Sequence, residues 1–323
     1  MISIKHLRYF AALAQHRHFG RAADACAISQ PALSLQIKDL EDFLGAQLVE
    51  RDRRQIRLTS LGEAFATRAQ QILQSVDELA DLARASNPSL GGRLRIGMIP
   101  TVAPYLLPAV IRRLAERFPA VDLRPREAVT GKLTEDLITG GLDVAVMALP
   151  VSEPSLQDQP LFDEEFVLVR APAEGHKPPP SVESLRAMRL LLLEEGHCFR
   201  DQALAFCNMA SGLSQDPMEG SSLATLVRMV GAGMGVTLIP EMAVAAETSA
   251  VEVSIARLAE PRPRRSIGLV WRKTNPLAEH FLQVGEIVRQ EHDVLRRHGD
   301  ARWLPDPSAR GGSDRAHDLA GHP

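Results

Sequence analysis

Two cysteines, Cys198 and Cys207, lie nine positions apart in a segment that the sequence predicts to run from a strand into a helix. The apolar run from Leu190 to Leu193 indicates the end of a buried strand, and residues 199–210 have few helix breakers. Cys198 therefore falls at a strand-to-helix junction, where free backbone N–H groups and the helix dipole favour a thiolate. The segment is a candidate site for thiol chemistry.

The spacing of the two cysteines indicates a bond that forms only when the segment refolds. Nine helical residues separate two Cα atoms by about 13 Å, whereas a disulfide needs about 7 Å or less. A reversible redox switch has this property, and His197 and Arg200 beside Cys198 are candidates to add positive charge. Two alternatives remain open, a pair of small buried hydrophobic residues and a zinc site. The zinc site needs about four ligands, and the nearby candidates end with His197, Cys198 and Cys207.

The composition predicts a protein with well-developed cores and about two domains in its 323 residues. The sequence has no continuous apolar run of membrane length, and its N-terminus has no signal-peptide pattern. Three cysteines in so long a chain exclude a disulfide-stapled secreted scaffold. We therefore expect a reducing, cytoplasmic location, where a disulfide is transient and regulatory.

The charge is unevenly distributed along a chain whose net charge is −3. Residues 1–60 contain nine basic and six acidic residues, an asymmetry that indicates a polyanionic partner. Within this segment, helical spacing of apolar residues predicts one helix around Leu7 to Ala14 and a short second one from Phe19 to Cys26. We interpret Cys26 as a core residue on the inner face of the second helix.

A third helix follows a tight connection and carries a polar stripe on one side. Ser29 is a good N-cap with Pro31 in the first turn, and Gly45 ends the helix. Its buried side is predicted from Leu33, Ile37, Leu40 and Leu44, and its polar side from Gln30, Ser34 and Lys38. This arrangement is typical of a helix-turn-helix.

The helix-turn-helix is followed by a predicted two-stranded wing and a long helix. The wing, residues 47–59, has Arg51, Arg53 and Arg54 at its tip, suited to contact phosphates. One helix is predicted over residues 60–85, with Phe65, Ile72 and Leu79 in one seven-residue series and Ala69, Val76 and Ala83 in another. This narrow seam is suited to pairing with a second copy, and residues 87–92 then form a hinge.

Strands and helices alternate from residue 93 onward. The first series predicts strands at 93–98, 121–127 and 143–148 with helices at 102–118 and 131–139, an order typical of parallel strands with crossover connections. A second series has strands at 166–170, 190–193 and 236–239, a helix at 222–232, and a returning strand and helix at 266–271 and 276–297. The fold class is α/β with an all-α N-terminal part. The composition after residue 304 predicts disorder.

Residues 1–92 resemble the winged helix-turn-helix and linker helix of LysR-type transcription regulators. The resemblance rests on Phe19-Gly-Arg-Ala-Ala-Asp, Ser29-Gln-Pro-Ala-Leu-Ser, Gln36-Ile-Lys-Asp-Leu-Glu and Leu48-Val-Glu-Arg. It implies a DNA-binding domain over 1–60, a dimerisation linker helix and hinge over 61–92, and a two-lobed, periplasmic-binding-protein-like effector domain over 93–303, before the tail 304–323. It also implies that Gln30, Pro31, Ser34 and Lys38 lie in or near the major groove.

Within that family, the sequence is similar to the OxyR group of hydrogen-peroxide sensors. The shared motifs include Ile99-Pro-Thr-Val-Ala-Pro-Tyr-Leu-Leu-Pro, Gly196-His-Cys-Phe-Arg-Asp-Gln, Phe206-Cys and Arg264-Arg-Ser-Ile-Gly-Leu-Val. The resemblance implies that Cys198 is the peroxidatic thiol and Cys207 the resolving thiol. It further implies a peroxide pocket with a supporting network, made of Thr101, Thr130, His197, Arg200, Asp201 and Arg265.

We therefore expect a regulator of oxidative-stress genes, an activator and not an enzyme, with no metal or other cofactor. Its implied partners are promoter DNA, RNA polymerase, further copies of itself in a dimer of dimers, and hydrogen peroxide as effector, with no membrane. A second hypothesis keeps the regulator but has a small anionic metabolite in the cleft and incidental cysteines. A third is a thiol peroxidase, against which the winged helix and the linker argue.

Overall fold

The computed structural model describes residues 1–51, 56–86, 89–178, 180–181, 184–185, 188–206, 218–260 and 262–300. Cys207, Arg53, Arg54 and the tail predicted from residue 304 lie outside the described residues, and of Arg51 only the backbone is described. The described chain has a helical N-terminal part, one long helix, and two α/β lobes whose strands belong to one nine-stranded sheet.

Three helices and an antiparallel strand pair form the N-terminal part, as the sequence predicts. The elements are α1 (Ile4–His16), α2 (Phe19–Ala25), α3 (Gln30–Leu44), β1 (Val49–Arg51) and β2 (Ile56–Leu58). The Ser29 side chain accepts a hydrogen bond from the Ala32 amide at the start of α3, and Gly45 ends the helix with a φ of 63°. The interpretation of Cys26 as a core residue is wrong in part, because this residue is the half-buried C-cap of α2.

The long helix α4 (Ser60–Ala85) has the predicted bounds, but the predicted seam is divided between two environments. The Phe65 ring packs edge-on against Phe10, with ring centroids 5.3 Å apart, so this part of the seam belongs to the N-terminal core. Ile72 and Leu79 remain 46% and 66% exposed. The second half of the helix therefore carries the apolar surface that is open to a partner.

The first lobe is a three-stranded parallel unit, as the alternation predicts. It contains β3 (Gly92–Met98), α5 (Ala103–Arg117), β4 (Val121–Glu127), α6 (Thr130–Ile138) and β5 (Val144–Leu149). Strand β3 lies between β4 and β5 and is parallel to both. Because all three strands point the same way, the loops that follow β3 and β4 meet at one edge of the sheet.

The second lobe repeats this parallel arrangement, with β7 between β8 and β9. The elements after the first lobe are β6 (Leu156–Arg170), β7 (Leu190–Leu193), α7 (Cys198–Phe206), β8 (Glu219–Gly220), α8 (Leu223–Gly231), β9 (Val236–Pro240), α9 (Val244–Glu247), β10 (Ser254–Arg257), β11 (Arg264–Arg272) and α10 (Ala278–Asp300). The order in the sheet is β4-β3-β5-β11-β6-β9-β7-β8, with β10 paired to β6.

Two antiparallel strands, β6 and β11, connect the lobes. Strand β11 pairs with β5 of the first lobe and with β6, and β6 continues to β9 of the second lobe. The sequence predicts only residues 166–170 of β6, because the preceding ten residues are largely polar and contain Pro160. Each lobe has its own hydrophobic core, and α10 returns to the first lobe, where Phe281 and Val284 are buried.

Candidate functional site

The candidate site lies where the two lobes meet, at the carboxyl ends of parallel strands. Thr101 follows β3, Thr130 begins α6 after β4, and His197 and Cys198 follow β7. Together with Arg265 of the crossing strand β11, these residues form the boundary site. The structure thus brings together loops that are far apart in the sequence, at a place where α/β folds bind their ligands.

Cys198 is the first residue of α7 and faces the opposite lobe. It is a half-buried free thiol that packs against the core of the first lobe, whereas Phe199 and Ala203 of the same helix belong to the second core. The turn before it needs Gly196, whose φ is 92°. A Cβ atom at this glycine would lie 3.8 Å from Cγ2 of Val129, so the chain before Cys198 passes close to the start of α6.

Arg265 is the centre of a buried network that connects the boundary. Its Nη1 donates to Thr101 Oγ1 at 2.7 Å, and its Nη2 donates to the Thr101 carbonyl oxygen at 3.2 Å. Its Nε and Nη2 donate to Glu164 Oε2 at 2.9 and 2.8 Å. The guanidinium carbon also lies 5.3 Å from the centroid of the Phe199 ring, beside Cys198. Arg265 therefore contacts the first lobe, the crossing strand β6 and the cysteine-bearing helix.

Glu164 is a member of this buried network that the sequence analysis does not name as a site residue. Its side chain is 2% exposed, and it also accepts a hydrogen bond from the Met242 amide at 2.8 Å. Burial raises the pKa of Glu164, and the Arg265 charge opposes that rise. Glu164 lies in the part of β6 that the apolar pattern does not predict. The register that sets Glu164 opposite Arg265 is a property of the folded sheet, so no local pattern in the sequence pairs these two residues.

The surroundings of His197 favour its neutral form, so they do not support the idea that it adds positive charge. The ring is half-buried, and this burial lowers the pKa of His197 below its usual value. The carboxylates of Glu194 and Glu127 oppose the shift without cancelling it. Since Glu127 ends β4, this electrostatic influence also places His197 near the first lobe.

Arg200 and Asp201 have different surroundings from the rest of the predicted pocket. The Arg200 Nη1 atom donates to the Leu193 carbonyl oxygen at 2.8 Å and lies 2.7 Å from Glu219 Oε1. The charge of Arg200 is therefore compensated within the second lobe. The Arg200 side chain connects the first turn of α7 to β7 and β8. Asp201 is exposed in that first turn, where the helix dipole favours a negative charge.

Two buried oxygen atoms near the boundary have no hydrogen-bond partner among the described residues, Thr130 Oγ1 and Gln202 Oε1. Buried polar atoms are normally paired, so each is a candidate contact for a small polar molecule. Sequence reasoning missed Gln202, although it lies four residues after Cys198 on the same helix face. In the described parts of the chain, no group of three or more His, Cys, Asp or Glu residues is placed to hold a metal ion.

The predicted DNA-binding residues form one face of α3. Gln30, Pro31 and Lys38 are exposed and Ser34 is half-buried, while Leu33, Ile37 and Leu40 on the opposite side are in the core. This amphipathic division leaves the N-terminal half of α3 accessible, as a recognition helix requires. Across the described residues, no helix has the length and apolar character needed to cross a membrane.

The sequence matches two families, and together they define the class of protein. Residues 4–63 match "Bacterial regulatory helix-turn-helix protein, lysR family", and residues 88–293 match "LysR substrate binding domain". The "DNA-binding transcriptional dual regulator OxyR" of Escherichia coli K12 is 40% identical over 296 residues, which cover 90% of this chain and 96% of that protein.

Solved structures give the same result. A full-length OxyR cysteine variant from Pseudomonas aeruginosa matches with a TM-score of 0.73 and 36% identity, covering 90% of this chain and 95% of that one. A Corynebacterium glutamicum OxyR cysteine variant with hydrogen peroxide bound matches with a TM-score of 0.65 and 33% identity, covering 93% and 95%. The chain therefore belongs to the LysR family of transcription regulators and, within that family, to the OxyR group.

Proposed function

We propose that this chain is a DNA-binding transcription regulator that senses hydrogen peroxide through a reversible disulfide between Cys198 and Cys207. The observation that carries the proposal is the position of Cys198. It begins a helix and packs against the core of the opposite lobe, while the next residue, Phe199, contacts Arg265 and Gln202 follows on the same helix with an unpaired buried oxygen atom. Relatives that share about 40% of the sequence are named hydrogen peroxide-inducible genes activators.

The chemistry proceeds in two steps. The Cys198 thiolate attacks one oxygen of hydrogen peroxide, so that an S–O bond forms while the O–O bond breaks, and the departing hydroxide takes a proton and leaves as water. The resulting sulfenic acid then condenses with the Cys207 thiol, which forms the S–S bond and releases a second water. Cysteine sulfur is oxidised and peroxide is reduced, and no other co-reactant is needed.

The residues of the boundary site have separate roles in the first step. Thr130 and Gln202 offer buried oxygen atoms that bind peroxide, and the neutral His197 donates or accepts one hydrogen bond. Arg265 holds Thr101 in place, and its guanidinium, whose charge Glu164 balances, lies against the Phe199 ring beside Cys198. Arg200 and Asp201 act through α7, the first by tying the helix to β7 and the second at its positive end.

The N-terminal part binds the DNA. We assign Gln30, Pro31 and Ser34 to the major groove and Lys38, Arg51, Arg53 and Arg54 to phosphates. The exposed half of the seam on α4, with Ile72 and Leu79, joins two copies, and two such pairs form a dimer of dimers. The protein acts in the cytoplasm on promoter DNA and with RNA polymerase.

Replacement of the proposed peroxidatic thiol tests this function. Cys198→Ser should lose the peroxide response, at least a hundredfold in the rate of oxidation, because a hydroxyl group is far less nucleophilic than a thiolate. DNA binding by the reduced protein should be unchanged. The measurements are mass spectrometry for the Cys198–Cys207 linked peptide and DNA footprints before and after one equivalent of peroxide.

Cys26→Ser is the matched control for that experiment. Burial raises the pKa of Cys26, so this residue is a protonated thiol at neutral pH and should not react. The Cys26→Ser protein should respond as the wild type does. A wild-type footprint that changes with peroxide while no linked peptide forms would overturn the proposed switch.

A further inference from the structure

Tyr105 crosses the boundary between the lobes at a position that the mechanism above does not use. It lies in the first turn of α5 in the first lobe, yet its side chain packs against the cores of both lobes. Its hydroxyl donates a hydrogen bond to Glu247 Oε1 at 2.8 Å. Glu247 is the last residue of α9, which belongs to the second lobe. The pair is therefore a polar connection between two bodies with separate cores.

On the first-lobe side, Tyr105 is rigidly joined to Thr101. The Val102 and Ala103 amides both donate to the Ile99 carbonyl oxygen at 2.9 Å, and the Tyr105 amide donates to the Val102 carbonyl oxygen at 3.1 Å. These bonds make the turn from Ile99 to Tyr105 one unit. A displacement of the Tyr105 ring is thus transmitted to Thr101, whose hydroxyl holds Arg265.

On the second-lobe side, Glu247 is joined to Glu164. Helix α9 follows directly after the short turn that contains Met242, and the Met242 amide donates to Glu164 Oε1. Glu164 in turn binds Arg265, which binds Thr101. These contacts and the two short chain segments form a closed ring. It passes from Tyr105 to Glu247, along the chain to Met242, and then through Glu164 and Arg265 to Thr101, which the turn joins to Tyr105. A ring of this kind fixes the spacing of the lobes at the place where Cys198 faces the first lobe.

The Tyr105 hydroxyl is a constant donor in this ring. Burial raises the pKa of Tyr105 strongly, and the hydrogen bond to Glu247 and the charge of Glu247 add to the rise. The hydroxyl therefore stays protonated throughout the physiological range. The donor of this hydrogen bond is therefore not lost by a change of pH in that range.

We propose that Tyr105 and Glu247 are positioning residues for the reaction of Cys198 with hydrogen peroxide. They do not touch the peroxide. They hold the two lobes at the separation at which Thr101 and Arg265 face the cysteine-bearing helix. This inference rests on the proposed function, since it concerns the efficiency of the same reaction.

The test compares two reactions of the same thiol in the reduced full-length protein. Tyr105→Phe removes only the hydroxyl, and we expect oxidation of Cys198 by hydrogen peroxide to slow about tenfold, equivalent to about 1.4 kcal/mol. Alkylation of Cys198 by iodoacetamide needs no aligned donors and should change less than twofold. Glu247→Ala should behave like Tyr105→Phe, and Glu247→Gln, which keeps an acceptor oxygen, should restore the oxidation rate to within twofold of wild type.

Two further variants complete the design. Tyr105→Phe combined with Glu247→Ala should be no slower than either single variant, because both remove one interaction. Tyr9→Phe removes the other tyrosine hydroxyl of the chain, in the N-terminal part, and should leave both rates unchanged.

The outcomes separate this inference from the proposed function. Wild-type Cys198 that does not react with peroxide would overturn both together. Wild-type reactivity with an equal oxidation rate in Tyr105→Phe would overturn the positioning role alone. Equal slowing of oxidation and alkylation in Tyr105→Phe would also overturn it, because that result indicates a change in the reactivity of the thiol itself and not in its alignment with peroxide.

Discussion

At the scale of single residues, the boundary site contains a buried ion pair, Arg265 and Glu164. Their side chains are 0% and 2% exposed, and removal of one partner from such a pair leaves an uncompensated charge. Arg265→Met should therefore lower the free energy of unfolding by about 3 kcal/mol at pH 7. Urea unfolding of the reduced protein, followed by tryptophan fluorescence, measures the loss.

The pH dependence of that loss follows from the state of Glu164. Burial raises its pKa, so without Arg265 the folded state binds a proton more readily than the unfolded state does. The stability of the variant should then rise as the pH falls from 7 to 5, and its deficit against wild type should shrink. Adding Glu164→Gln should restore most of the loss at pH 7. A deficit that is constant with pH and unaffected by Glu164→Gln would contradict this explanation.

The sequence predicts best those elements whose signal is local. The bounds of α4 and β7 follow from apolar spacing, and the cap at Ser29 and the terminating Gly45 mark α3. The boundary site was less predictable. The resemblance identified Thr101, Thr130, His197 and Arg265, which the structure brings together, but the Tyr105–Glu247 contact joins residues 142 positions apart. The sequence around Tyr105 does not predict that Glu247 is its partner, because the packing of the two lobes decides which residues meet.

At the scale of elements, helix α7 is the part that the proposed disulfide must change. The helix runs from Cys198 to Phe206, a distance of about 12 Å along its axis. Cys207 follows directly, and a disulfide requires Cα atoms within about 7 Å. The helix must therefore unwind in part, and the bonds of Arg200 to Leu193 and Glu219 oppose that change. The strain should make the disulfide readily reducible.

Hydrogen exchange across residues 198–225 measures this refolding. Amides late in α7 should be protected in the reduced protein and lose most of that protection after treatment with peroxide. The Cys198→Ser protein, treated identically, should keep its protection and serves as the control. Identical protection in both redox states, together with a changed DNA footprint, would refute the refolding mechanism.

At the scale of the whole molecule, the long helix α4 docks onto the first lobe and so connects the redox site to the DNA-binding part. Glu78 Oε1 accepts from Gln74 Nε2 at 3.0 Å and lies 3.6 Å from Arg272 Nε. Burial lowers the pKa of Arg272, and Glu78 opposes that shift. Arg272 also donates to the carbonyl oxygens of Leu137, in the last turn of α6, and of Leu142, in the loop that precedes β5. The helix thus contacts both the crossing strand and the loop that precedes β5.

This docking predicts that Glu78 couples the redox state of Cys198 to the DNA affinity of the N-terminal part, and that it does not affect the rate of Cys198 oxidation. Glu78→Gln keeps the shape of the side chain but removes its charge, and it should leave the rate of Cys198 oxidation within twofold of wild type. The ratio of DNA affinities between the oxidised and reduced forms should fall about fivefold, because a coupling of about 1 kcal/mol is lost. Glu286→Gln removes an exposed charge from α10, where its ion pair is with Arg289 of the same helix, and is the control. Titration of both redox forms with operator DNA gives the ratio. An unchanged ratio in Glu78→Gln would show that the signal reaches the recognition helices by another route, since the charge that joins α4 to β11 would then carry none of it.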